Sequence, residues 1–253
     1  MKKLPFTAWR AYATALALFF FGHFITDVHA LADADSPAAD GGATVMTING
    51  LPVSAAEYRL VMQSRTAEVS AYFKRTQNRD DGPGYWRDDG AAESPLRKLR
   101  ALVQEELVRI KVLQGLALKN GVISDASYAA FIQKLNAENL RRKKAVAANQ
   151  VIYGPRQYRE AIYHAIVLGE IDHRLRTITA KDPALAVSEA DIARCYETER
   201  SKLADKTLAD VRDKIADVLQ RENYDRFIQG LRASAHVEVN QEAVAVLVPR
   251  VDA

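Results

Sequence analysis

The 253 residues contain a single cysteine, Cys195. A lone thiol closes no internal disulfide, so the fold must rest on a packed apolar core. Cys195 lies in a helical pattern between Arg194 and Tyr196, and free cysteines are commonly buried, so it reads as structural. Metal signatures are missing as well. Of the five histidines only His164, His173 and His236 lie beyond the first forty residues, none forms an H-E-x-x-H pair, and there is no C-x-x-C. The chain has no Walker loop, no G-x-G-x-x-G and no G-x-S-x-G. Adjacent acids such as Glu105 and Glu106 diverge from a helix and cannot share a substrate, so they read as a solvated face. Catalytic residues, metal ligands and cofactors are therefore all assigned as none.

An excess of either charge is absent too, and the N-terminus accounts for what little there is. Lys2, Lys3 and Arg10 precede an apolar stretch from Ala11 to Ile25, followed by the small-x-small pattern Ala30-Leu31-Ala32. This is the layout of a secretory signal, with cleavage expected after Ala32, retention as an anchor helix as the alternative, and an extracytoplasmic (periplasmic or secreted) location. Without residues 1–32, which hold three of the 35 basic and one of the 32 acidic groups, 32 basic groups face 31 acidic ones. A nearly neutral mature chain argues against nucleic acid as a partner and against strong membrane binding. The run Arg141 to Lys144 accordingly reads as solvated surface.

Residues 33–42 are small, polar and turn-rich, as in a flexible leader. The remainder, 43–253, reads as one domain. Ala43 to Asn49 alternates like a strand and ends at the turn Asn49-Gly50. Helices are expected after the capping box Ser54-Ala55-Ala56-Glu57, after Ser94-Pro95, after Ser124, from Pro155, after Ser188 and after Thr207. In the second of these, Leu99, Val103, Leu107, Ile110, Leu113 and Ala117 form an unbroken core stripe that closes at Asn120-Gly121. Ala235 to Asn240 and Ala243 to Val248 read as strands, at least one of which should pair with the N-terminal strand. The fold class is mainly α with a small β element joining the two ends. Four aspartates in the loop Arg79 to Gly90 lack the spacing and the terminal glutamate of a calcium loop.

The stretch Thr44 to Tyr58, TVMTINGLPVSAAEY, resembles the opening strand, turn and helix of SurA- and PrsA-type chaperones, relatives of the parvulin-type peptidyl-prolyl isomerases. Val187 to Glu197, VSEADIARCYE, is similar to the helix that leads into their parvulin domain. Val211 to Asn240 resembles the returning helix and final strand. The middle segment, with Asn139, Arg141-Arg142-Lys143 and Tyr153-Gly154-Pro155, is similar to divergent exported relatives. Only Ser201 to Thr207 separates the two flanking helices, so the parvulin insertion is missing between about 200 and 208, since a domain needs on the order of a hundred residues.

The resemblance implies a helical chaperone module that binds unfolded or extended polypeptides without ATP, through an apolar-aromatic groove. Candidate client contacts are Tyr58, Met62, Tyr72, Phe73, Tyr85, Trp86, Tyr128 and Phe131, because aromatic and methionine side chains bind apolar segments without demanding one geometry. Tyr85 and Trp86 stand out, lying in a polar loop with little core of its own. Residual isomerase activity and scaffolding of one dedicated partner are the alternative readings, and oligomeric state is left open.

Overall fold

A computed structural model describes residues 43–87, 93–203 and 206–249. The expected signal and leader, residues 1–42, lie outside the described residues. The protein is mainly helical, with one small antiparallel sheet. Strands β1 (Thr44–Ile48) and β2 (Leu51–Ser54) form a hairpin closed by Asn49 and Gly50. Both turn residues have positive φ, 49° and 79°, the mirror-image turn whose twist suits a two-residue hairpin. The third strand, β3 (Val237–Val239), pairs antiparallel with the other edge of β1, giving the order β2-β1-β3. Asn49 fixes this closure: its backbone N–H donates to the His236 carbonyl (2.9 Å), and its side-chain oxygen accepts from the His236 N–H (2.8 Å).

Helix α1 (Ala55–Gln77) starts directly from β2, with the Ser54 hydroxyl accepting from the Glu57 N–H at 3.2 Å. The rest of the expected capping box does not form as read. Glu57 directs its carboxylate to Lys111 on α2 (Pro95–Lys119), 2.9 Å away, in the core. On α2 the six stripe residues Leu99, Val103, Leu107, Ile110, Leu113 and Ala117 are all buried, as their spacing requires. One end of this helix packs with the sheet and α1, around Met46, Ile48, Tyr58, Met62 and Phe73. The other end packs with α4 (Glu160–Thr179) and α6 (Leu208–Ala233), around Leu175, Tyr224 and Ile228. A smaller cluster joins α6 to α5 (Glu189–Glu199) through Ile192, Val211 and Ile215, with Cys195 half-buried beside it. Both of these helices carry capping boxes, Ser188 with Asp191 and Thr207 with Asp210.

Three sequence expectations are corrected. Helix α3 (Tyr128–Ala147) is capped by Ser127 rather than Ser124. Helix α4 begins at Glu160, not Pro155, because α3 holds the preceding loop: Asn139 bonds both the N–H and the carbonyl of Tyr158. The segment from Ala243 to Val248 is not a strand. The Asn240 side chain accepts from the Ala243 N–H and opens a short helix, α7 (Gln241–Ala245), whose Val244 is buried together with Leu247 three residues on. Among the described residues, no helix is long and apolar enough to cross a membrane.

Candidate functional site

Helices α1, α2, α4 and α6 enclose an open cleft of about 510 Å³. Its floor is aliphatic: Leu60 and Val61 come from α1, Ile110 and Leu113 from α2, Leu168 from α4 and Ile228 from α6. Helix α4 supplies one long wall, with Ala161, Ala165, Leu168, Asp172 and Arg176 recurring at three- and four-residue spacing. Small side chains keep this wall low. A Cβ added at Gly169 would meet nothing within 4 Å.

Charge in the cleft is organised into two clusters. In the first, Glu106 accepts from Arg109 at 2.6 Å and from Arg65 at 2.7 Å. Burial alone would raise the Glu106 carboxyl, but the two guanidiniums overcome it and hold the group below the ordinary carboxylate value. Glu106 is thus an inward-facing member of the acidic pair expected to be solvated. In the second cluster, Asp172 accepts from the Tyr224 hydroxyl (2.8 Å) and from Arg176 (2.9 Å), and Arg176 also reaches Asp225 at 2.9 Å. The Arg176 guanidinium lies 4.3 Å from the Tyr224 ring centroid. Burial and the bond to Asp172 push the Tyr224 phenol well up, so it stays neutral and donates.

His164 sits where the cleft meets α3. Burial, and then the nearby Lys111 cation, depress its pKa to about 4, so the ring is neutral near pH 7. It packs edge-on against Phe131, with centroids 5.0 Å apart. Ser64, a hydroxyl at the cleft, donates to the Val61 carbonyl at 2.7 Å. The cleft therefore offers apolar area flanked by balanced charges, an arrangement suited to binding a chain segment.

None of the eight contacts chosen from sequence lines this cleft. Tyr58, Met62, Phe73 and Tyr85 belong to the main core, with Tyr72 and Trp86 partly buried against it. Tyr85 is only 4% exposed and packs edge-on to Phe73 and Trp86, so its loop does have a core to join. Tyr128 and Phe131 are buried between α3 and α4, Tyr128 donating to Glu160. Among the described residues, no group of three or more acidic, His or Cys side chains is placed to hold a metal; Asp80 instead pairs with Lys74 at 2.8 Å.

Arg142 has a role that its sequence context hides. Though part of a basic run read as solvated, it is buried, and it donates to Glu138, to the Tyr153 and Pro155 carbonyls and to the Tyr158 hydroxyl, all within 2.9 Å. The nearby Glu138 was the one local hint, four residues before it on the same helix face.

A chaperone for lacto-N-biosidase from Bifidobacterium longum subsp. longum is 22% identical to this chain over 176 residues, which is 68% of this chain and 62% of that protein. The similarity is weak, it is to a chaperone, and it spans less than two thirds of that relative's length. No family model matches the chain, and the narrower resemblance to SurA- and PrsA-type proteins gains no support there. No solved structure matches it.

Proposed function

We propose that this protein is an exported, ATP-independent chaperone or assembly factor that takes a segment of client polypeptide into the four-helix cleft. The observation that carries this reading is the cleft itself, an aliphatic floor left open between helices that are otherwise well packed. Its apolar area is aliphatic, with Tyr224 as the aromatic at its edge, so the client contacts are Leu60, Leu168 and Ile228 rather than an aromatic set. The similarity to a protein named as a chaperone supports the class. That relative is named for a single enzyme, which favours one dedicated client over a general holdase. Export rests on the signal-like N-terminus, and independence of ATP on the lack of any nucleotide motif.

The test is suppression of aggregation of an unfolded substrate at stoichiometric protein. Ala165→Trp fills the cleft from an exposed position and should leave the fold intact. It is expected to weaken client binding by about tenfold, a loss of roughly 1.4 kcal/mol. Unchanged binding by that variant would remove the cleft from the mechanism. Failure of the unmodified protein to bind any unfolded chain would remove the chaperone reading itself.

A further inference from the structure

The near-zero net charge conceals a local concentration. From Asn139 to Arg159 the sequence holds Arg141, Arg142, Lys143, Lys144, Arg156 and Arg159, and no acidic residue. Arg142 is turned inward and Arg141 is paired with Glu138, but Lys143, Lys144, Arg156 and Arg159 are exposed. These residues lie at one end of the hairpin made by α3 and α4. Phe131 in the first turn of α3 already meets Tyr163 and His164, whereas Asn139 and Arg142 contact the loop before α4 starts. The last eight residues of α3 therefore overhang the beginning of α4 by about 12 Å. The returning loop packs along this overhang.

That loop presents apolar side chains outward, while side chains of α3 hold three of its carbonyls. Val151 is 82% exposed and Tyr153 86%. Arg142 takes the carbonyls of Tyr153 and Pro155, Asn139 takes both polar groups of Tyr158, and the Gln150 N–H donates to Ala145. Gly154, at a φ of 82°, bends the chain over the guanidinium. Buried arginines are costly, and this one serves to hold a surface loop in a fixed shape.

We infer that this tip docks on an anionic lipid surface, with Tyr153 and Val151 entering the interfacial layer and Lys143, Lys144, Arg156 and Arg159 facing the headgroups. Two features favour a bilayer over an acidic protein. The tip is a convex overhang, which meets a plane without needing a complementary pocket. An exposed tyrosine in a stretch rich in lysine and arginine is the composition found at membrane interfaces, where basic groups near anionic lipid each strengthen binding roughly fivefold. The site is separate from the cleft and does not depend on the chaperone reading.

The experiment is sedimentation of the full chain with vesicles of phosphatidylcholine alone and of mixed phosphatidylcholine and phosphatidylglycerol. The apolar stretch Ala11 to Ile25 binds any bilayer if retained, so the readout is the gain from the anionic lipid. Replacing Lys143, Lys144 and Arg156 together by Gln is expected to cut that gain by about a hundredfold. Replacing Val151 and Tyr153 by Ser should cut it by about tenfold, since both exchanges occur at exposed positions that leave the fold alone. A control with Lys181→Gln and Lys214→Gln, outside the tip, should bind as the unmodified protein does. Equal binding to both kinds of vesicle would overturn the proposal. So would tip variants that keep anionic binding, or that lose client binding in the aggregation assay while vesicle binding is unchanged, which would make an acidic polypeptide the occupant.

Discussion

Glu57 and Lys111 face each other in the core with 2% and 1% of their side chains exposed. Withdrawing two charges from water costs several kcal/mol each, so such a pair holds only while both members are present. Lys111→Met leaves the carboxylate buried without its cation and is expected to cost about 3–5 kcal/mol in urea unfolding. The double variant Glu57→Leu with Lys111→Met should recover most of that loss, because it replaces two buried charges by apolar groups. Next to this pair, His164 is the group whose titration should show in stability. Its folded pKa, about 4, lies below the ordinary value of 6.5. The unfolded chain therefore takes up the proton first as pH falls, and folding free energy declines from about pH 6.5 down to about pH 4. The decline attributable to this ring is on the order of 3 kcal/mol, and it levels off below the folded pKa. Unfolding of His164→Gln across that range should show a flatter profile; an unchanged slope would mean that the ring is charged in the folded protein. Lys111, Glu106 and Arg109 are the charges around it, and of these only Glu106 opposes the depression.

The α3–α4 hairpin is the element most separable from the rest. Helix α3 packs on α4 through Tyr128 and Phe131, while α4 meets the α2 core through Leu168, Ile171 and Leu175. Phe131→Ala removes a ring that touches Tyr128, Tyr163 and His164, and truncations of this kind cost about 3–5 kcal/mol when fully buried. The loss should appear locally: amide exchange accelerates along α3 and the first turn of α4, while β1 and α2 keep their protection. Uniform acceleration through the sheet would show that the hairpin folds as one unit with the body. Elements of this molecule were readable from sequence where local chemistry sets them. Ser54, Ser94, Ser188 and Thr207 all cap helices as their spacing implies, and Asn49-Gly50 makes the hairpin turn. They were not readable where a distant residue decides. The start of α4 is set by Asn139, nineteen positions before the Tyr158 it holds, and Glu106 faces inward because Arg65 waits on another helix, 41 residues away. The alternation from Ala243 to Val248 misled for a related reason, since Asn240 caps the backbone before any strand partner can claim it. The cleft was the least legible feature. Its floor uses the same aliphatic residues as the core stripes, and only the gap between four helices distinguishes Leu60 from a core leucine.

At the scale of the whole molecule, the sheet and the cleft share their scaffold. Strand β1 lies between a partner next to it in sequence and one about 190 residues away, and α1 and α2 pack on that sheet before continuing to form two sides of the cleft. Val45, Met46 and Ile48 alternate along β1 yet all three are at most 2% exposed, so both faces of the central strand are covered. Residues following α6 provide part of that cover: β3 pairs one edge, Val244 and Leu247 join the main core, and Arg100 on α2 donates to the Ala245 carbonyl at 2.8 Å. Ending the chain at Ser234 should therefore do more than shorten it. The unpaired edge of β1 and the uncovered valine and methionine face water, and α1 loses the support that sets its angle against α2. Loss of two buried aliphatic side chains and a strand edge costs several kcal/mol, comparable with the total stability of an average domain. The truncated protein is expected to lose its cooperative thermal transition and, with it, client binding in the cleft. A synthetic peptide covering residues 235–249, added in excess, should restore both by re-pairing β1 and re-seating Leu247. A truncated chain that melts as the full one does would mean that α1 and α2 hold the cleft open without the sheet.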